Sequence, residues 1–433
     1  MMPTTVPALL RARATSTPDA AAVIGRAGGT WTTLTYRALD EQSALVAAGL
    51  AQRGIEAGTP VAWGIDNGAG IEALVLHHAL LKLGAVSVPL NTRLVGPEVA
   101  GMLHQTESVL LIADERLAER WGSRDIEALW RRDEPEGDVV SLLGARSAAP
   151  AAADRDPEPE DLACILYTSG TTGLPQGVEH THRSSLAAGL GWAEALGLTE
   201  RDLIQSPFPV FSGAGLHYNG LSAMWAGAAY VVDEPDVASA LTRIGTYHST
   251  VYTAVPSIYQ YWLDRPDLAD HDLTSVRLLA FGGSAMAAPV IERLQAAIPT
   301  AALMQTYGLT EGGPAGTFLP SELTMAKLGS IGDRPSGSST RFRVVDEQGH
   351  DVAPGELGEF VMAGPSVMRG YHRAPAATAA AFFGDWLRSG DRVWADADGC
   401  LFYEGRLKDL VIRGGYNISP LEIERVLLQH PDV

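Results

Sequence analysis

Cysteine is nearly missing from this chain. Cys164 and Cys400 are the only two among 433 residues, and their flanks, ILYT and LFYEG, read as ordinary buried positions, so neither a disulfide framework nor a zinc site is expected. Long apolar runs are missing as well. No stretch of about 20 apolar residues occurs, and the opening MMPTTVPALLRARATS has no continuous apolar segment behind its positive residues. The reading is a cytoplasmic protein with no membrane span. Positive charge is in deficit, with 32 Lys and Arg against 51 Asp and Glu and a formal charge of −19, which leaves no basic face for nucleic acid or an anionic membrane. A phosphate group bound here has to be held locally, by backbone N–H groups, a metal ion or a few placed cations. Two local patterns carry little. The sequon Asn417-Ile418-Ser419 has no secretory signal beside it, and His77 and His78, as neighbours in a helical stretch, point to different faces rather than at one metal.

What is present is a large folded protein. Hydrophobic residues at 46% and charged residues at 19% imply a sizeable core, and the length implies two or three packed units. From Thr35 to about Asp114, helical stretches such as YRALDEQSALVAAGLAQRG and ALVLHHALLKLGA alternate with the strand-like PVAWGI, VSVPL and VLLIAD, the pattern of parallel βαβ units. Residues 148–160, AAPAAADRDPEPE, read as an exposed linker. A second alternating unit follows, with strand candidates ACILYT, AAYVV, TVYTAV and VRLLAF. From Gly329 to about Tyr403 the short strands RFRVVD, EFVMAG and LFYEG are broken by turns, suggesting a small barrel or antiparallel sheet. Ser419, Pro420 and Glu422 then open a helix in the last stretch, as N-cap, first helical residue and first-turn acid. No repeat of solenoid period is found.

The segment Tyr167-Thr168-Ser169-Gly170-Thr171-Thr172-Gly173-Leu174-Pro175-Gln176-Gly177-Val178 follows an apolar strand and precedes a helical stretch. Its glycines let the backbone curl, and its hydroxyls and N–H groups can donate to an anion, although it lacks the Gly-Lys-Ser/Thr ending of a Walker loop. A phosphate cradle and a flexible turn both remain open on this chemistry alone. Gln305-Thr306-Tyr307-Gly308-Leu309-Thr310-Glu311, taken singly, reads as a turn with a surface acid, and Ser389-Gly390-Asp391 as a turn.

Taken together and in this order, these segments resemble the acyl-CoA synthetase-like adenylate-forming superfamily, which includes peptide-synthetase adenylation domains and luciferases. The resemblance runs from about Tyr36 to Val433. It implies an α/β fold of two αβ subdomains with mostly parallel sheets and a small distorted β-barrel subdomain. The divisions expected are 1–160 for the first αβ subdomain and linker, 161–326 for the second with the phosphate loop, 327–407 for the barrel, and 408–433 for a hinge at Lys408 and the start of a truncated C-terminal domain. That small domain is an expected partner, and an oligomer is left open.

The resemblance also implies ATP or AMP, Mg²⁺, CoA as co-substrate, and a small-molecule acid. Thr168, Ser169, Gly170, Thr171, Thr172, Gly173 and Gln176 would hold the phosphates, Tyr307 would stack on adenine within the run from Gln305 and Thr306 to Gly308, and Thr310 would contact the α-phosphate. Glu311 would hold Mg²⁺, Asp391 would accept from the ribose hydroxyls, and Arg406 would reach ribose or phosphate. Gly282, Gly283, Ser284 and Ala285 would form a wall shared by adenine and acyl group. Ser212, Gly213, His217, Tyr218, Gly308, Gly313 and Pro314 would line the acid pocket. Two positions depart from the family pattern: Gln176 stands where lysine is usual and Ser212 where histidine is common. The implied reaction is formation of an acyl-adenylate from the acid and ATP, then a thioester with CoA. Alternatives are an amine, carrier-protein or inorganic-acid chemistry, or a catalytically weak nucleotide-binding remnant.

Overall fold

The computed structural model describes residues 2–122, 156–168, 175–284 and 286–407, and the backbone of two further strands, Val411–Arg413 and Tyr416–Ile418. Most of the expected linker, the phosphate-loop residues Ser169 to Gly173, Ala285, Lys408 and the terminal helix lie outside the described residues.

The short apolar runs build two mainly parallel sheets. One has nine strands, with Ala302–Gly308, Leu278–Phe281, Val251–Ala254, Leu203–Ser206, Ala229–Val232 and Ala21–Ala27 side by side and parallel. Antiparallel strands flank this block, Thr30–Thr35 on one edge and Gly316–Leu319 then Arg334–Pro335 on the other. Every residue of the strands at 229–232, 251–254 and 278–281 is buried, which is why these runs show no alternation: both faces of the sheet are covered.

The second sheet has six strands, in the order Gly370–Tyr371, Gln176–Thr181, Leu162–Thr168, Val86–Pro89, Pro60–Gly64 and Leu110–Ala113. The strand expected to open the second unit, ACILYT, is thus hydrogen-bonded to strands that precede the linker, pairing Ser87 with Cys164. The hairpin at 21–35 conversely belongs to the nine-stranded sheet, so neither sheet is built from a single continuous stretch of chain.

Between the sheets runs the helix Gly70–Leu83, buried at every position. Gly70 lies against Val232 of the nine-stranded sheet, where a Cβ would come within 2.5 Å, and His77 meets Trp63 of the six-stranded sheet edge to face. A helix that is apolar almost all round belongs in such a place. Two of its polar residues are answered individually: Lys82 Nζ donates to the Asp40 carboxylate at 2.7 Å and His77 Nδ1 meets Ser87 Oγ at 2.9 Å. Gly84 in the left-handed conformation ends the helix.

The third sheet is antiparallel throughout. Ser330–Gly332, Leu401–Arg406, Trp386–Ala395, Gly358–Ala363 and Arg341–Val345 lie in that order, and Phe382–Phe383 pairs with Trp386–Ala395. Its outer strands are not paired to one another. Ser389-Gly390-Asp391 is not a turn but the middle of a strand, at a bulge where the register slips against both neighbours. Gly390 has φ +72°, Ser389 Oγ donates to the Phe360 carbonyl at 2.7 Å, and the Asp391 N–H donates to Ser389 Oγ at 2.9 Å. A bulge re-aims one side chain, and here that side chain is Asp391.

Candidate active site

Leu278–Phe281 and Ala302–Gly308 are neighbours and parallel, Phe281 opposite Gln305. Gly282 to Ser284 therefore leave the sheet at its carboxyl end beside Thr306 to Gly308, which continue the neighbouring strand and pair with Gly316 to Phe318, in the place where open α/β sheets bind ligands. They touch closely. A Cβ on Gly282 would lie 2.4 Å from Thr306 Oγ1, and one on Gly308 2.1 Å from the Pro314 carbonyl. Gln305 Nε2 donates to the Phe281 carbonyl at 3.3 Å and Thr306 Oγ1 to the same carbonyl at 3.2 Å. Gly283 and Ser284 are exposed at the surface so formed.

The third sheet delivers the charged groups. Tyr307 Oη donates to Asp391 Oδ2 at 2.6 Å, and Arg406 Nε lies 3.2 Å from Asp391 Oδ1. Asp391 is 3% exposed, and its Oδ1 has no hydrogen-bond partner. Burial pushes the Asp391 carboxyl up from its usual range against the pull of Tyr307 and Arg406, and the Tyr307 hydroxyl is pushed up by burial and by the Asp391 charge beside it. Arg406 loses solvation on burial, but the Asp391 charge together with the smaller pulls of Tyr403, Tyr307 and Glu311 outweighs that loss and holds it in the charged form.

After Gly308 the chain makes a single 3₁₀ turn, Thr310–Gly312, closed by Gly313 at φ +99°. Tyr371 Oη donates to Glu311 Oε1 at 2.9 Å, and the Met368 N–H donates to the Glu311 carbonyl at 2.8 Å. Glu311 is therefore held from the side chain and the backbone by one segment, residues 368–371.

Thr168 and Gln176 are opposite each other where the strands Leu162–Thr168 and Gln176–Thr181 begin to pair. The phosphate-loop segment thus joins two antiparallel strands, and the helix His182–Ala195 follows one strand later than expected. The run QGVEHT is buried almost throughout, which masks the alternation that would have marked it as a strand. In the segment expected to line the acid pocket, Ser212 Oγ donates to the Pro209 carbonyl at 2.7 Å and accepts from the Gly215 N–H at 3.1 Å, just before a π-helical segment, Ala214–Leu221. Such wide turns recur at functional sites. Gly213 faces Leu166 and Pro314. His217 and Tyr218 are buried within the π-helix, His217 against Gly313 and Tyr218 edge-on to Trp192.

Residues 10–372 match the family described as AMP-binding enzyme. The chain belongs to the AMP-binding enzyme family. It is 34% identical to the long-chain-fatty-acid–CoA ligase FadD13 of Mycobacterium tuberculosis over 98% of this chain and 83% of that protein. It is 35% identical to the 2-succinylbenzoate–CoA ligase of Geobacillus kaustophilus over 99% of this chain and 83% of the relative. The structure of O-succinylbenzoate coenzyme A synthetase (MenE) from Bacillus subtilis with ATP and magnesium superposes with a TM-score of 0.85 at 29% identity, covering 98% of this chain and 85% of that one. No helix among the described residues is long and apolar enough to cross a membrane.

In this AMP-binding enzyme several supporting residues escaped the sequence reading. Asn67 Nδ2 donates to the carbonyls of Phe208 at 3.0 Å and Asp233 at 2.6 Å, and its Oδ1 accepts from Val210 at 2.8 Å, fixing the segment before Ser212. Glu179 takes Arg369 Nε and His372 Nδ1, each at 2.7 Å, tying residues 368–372 to the hairpin beside Gln176. Of these only Arg369 lies in a segment that stands out in the sequence, GPSVMRGY, and that segment reads as a break between short strands.

Proposed function

We propose that this chain activates a carboxylic acid with ATP, forming an acyl-adenylate and pyrophosphate, and passes the acyl group to the thiol of CoA. The observation that carries the reading is Asp391: a buried carboxylate with one oxygen held by Tyr307 and the other without a hydrogen-bond partner, beside the cationic Arg406. A ribose hydroxyl is the donor that such an oxygen lacks, since a buried acceptor left unpaired costs about 1–3 kcal/mol.

In this reading Tyr307 offers a ring face to adenine, Asp391 fixes the ribose, and Thr310 and Arg406 meet the α-phosphate. Glu311 would hold Mg²⁺, which when bound would supply charge neutralisation of the phosphates. A carboxylate oxygen of the acid attacks the α-phosphorus; the bond from that phosphorus to the bridging oxygen breaks, and pyrophosphate leaves with the electron pair. No proton has to move, so positioning and charge stabilisation do the work. The CoA thiolate then attacks the acyl carbon and AMP leaves. The relatives named above act on fatty and succinylbenzoic acids, which supports an organic acid here. Acid-dependent exchange of pyrophosphate into ATP, run over fatty and aromatic acids and repeated with CoA and thioester detection, tests the reading. Exchange with none of the acids would sink it, and exchange without thioester would replace CoA by another acceptor.

A further inference from the structure

Two histidines hold the two ends of the Thr310–Gly313 turn, one of them, His217, among the residues expected to line the acid pocket. His180 Nε2 lies 2.9 Å from the Thr310 carbonyl, and His217 Nδ1 lies 3.1 Å from the Gly313 carbonyl. A carbonyl only accepts, so each contact fixes a tautomer: His180 carries its proton on Nε2 and His217 on Nδ1. The remaining nitrogens face a hydroxyl and a thiol, His180 Nδ1 toward Ser184 Oγ at 3.3 Å and His217 Nε2 toward Cys164 Sγ at 3.6 Å. The rings stand perpendicular with centroids 5.3 Å apart, and neither residue is more than 1% exposed. Burial lowers His180 to about 4 and His217 to about 3, so both are neutral near pH 7.

The three segments they join are the ones the proposed reaction must hold in register. His180 sits on the strand that returns from the phosphate loop, His217 on the π-helix of the acid side, and the turn between them carries Thr310 and Glu311. We propose that His180 and His217 are positioning residues that set the Thr310–Glu311 turn, and that His217 couples the acid-binding side to the metal-binding carboxylate. The proposal rests on the adenylation reading given above.

The tautomers supply a specific test. The amide nitrogen of glutamine falls where His Nε2 was, and that of asparagine where Nδ1 was. The geometry therefore expects His180→Gln and His217→Asn, which keep the donor in place, to lose less activity than the amide of the other length at the same position. His180→Asn and His217→Gln should lower kcat for pyrophosphate exchange by about tenfold to a hundredfold, the scale of a displaced catalytic group. The mismatched pair should also lose most of the gain in ATP affinity that Mg²⁺ gives, measured by calorimetry, while AMP affinity stays as in the native chain. Equal effects of both amides at each position, or losses that follow thermal stability alone, would overturn the positioning role with the adenylation reading intact. Absence of exchange by the native chain with every acid would overturn both.

Discussion

Tyr307 and Asp391 are 84 positions apart in sequence and 2.6 Å apart in space, the tyrosine hydroxyl donating to the carboxylate. One residue ends a strand of the nine-stranded sheet and the other sits at a bulge of the antiparallel sheet. Their bond therefore sets the two sheets in register at the proposed nucleotide site. The second carboxylate oxygen faces Arg406 Nε at 3.2 Å.

This arrangement separates two roles. Asp391→Ala is expected to weaken AMP and ATP alike, with or without metal, by about 1.5–3 kcal/mol, the worth of hydrogen bonds to a charged group. Glu311→Gln should leave AMP affinity nearly unchanged and abolish the Mg²⁺-dependent part of activity, because an amide oxygen replaces an anionic ligand. Titration of both variants with AMP and with ATP, each with and without Mg²⁺, checks this. Identical behaviour of the two would mean that ribose and metal roles are wrongly assigned.

Gln176 begins the strand that returns from the phosphate loop and is half-buried opposite Thr168. An amide there donates without charge, so the native chain should prefer AMP to ATP. Gln176→Lys is expected to strengthen ATP binding by about 1–3 kcal/mol, the range for a charge-assisted hydrogen bond, with AMP little changed. Calorimetry that finds ATP and AMP shifted equally would remove this account of the loop.

The parallel strands were legible because burial on both faces leaves plain apolar runs, as at Val251–Ala254 and Leu278–Phe281. The run QGVEHT was not legible, since its glutamate and histidine are buried through partners far along the chain: Glu179 through Arg369 and His372, and His180 through Thr310. Ser389-Gly390-Asp391 shows the same limit. Its residue types suit a turn, and only pairing with two neighbouring strands makes it a bulge. The motif residues could be located from order and type, whereas Tyr371, His180 and Asn67 act through contacts that local sequence does not encode.

Five buried histidines give stability a definite pH dependence. Burial is the largest cause of depression at each: His78 and His217 fall to about 3, His180 and His182 to about 4, and His77 well below 6.5. Unfolded, they would titrate near 6.5, so below that value the unfolded chain takes up protons that the fold refuses. Stability is then fully present above about pH 6.5 and is lost as pH falls toward 4, by roughly 1.4 kcal/mol per histidine at pH 5.5. Asp233 opposes this. Burial raises it to about 6, so it regains stability as pH falls through 6 toward its unfolded value. Asp391, also raised by burial, acts in the same sense as Asp233; five groups against two leave a net loss, and the urea midpoint should be lower at about pH 5.5 than at about pH 7.5. An equal or higher midpoint at the lower pH would show that these histidines are charged in the fold.

Gly308 pairs with Gly316, and each is a glycine because backbone lies where a Cβ would go: 2.1 Å from the Pro314 carbonyl oxygen for Gly308, and 2.4 Å from the Tyr307 carbonyl oxygen for Gly316. No flexible side chain is there to yield. Gly308→Ala must push apart the strand that carries Tyr307 and the Pro314–Ala315 backbone that follows the turn of Thr310 and Glu311, at a cost of about 1–3 kcal/mol, the usual range for overpacking. Gly329 is the matched control. It has φ +84° with nothing within 4 Å of where a Cβ would stand, so Gly329→Ala should cost about 1–2 kcal/mol of backbone strain alone. Both variants should therefore unfold at a lower temperature by a similar amount, while pyrophosphate exchange falls sharply only for Gly308→Ala. If exchange followed the melting temperature equally in both, the contact between Gly308 and Pro314 would matter for stability and not for the geometry of the site.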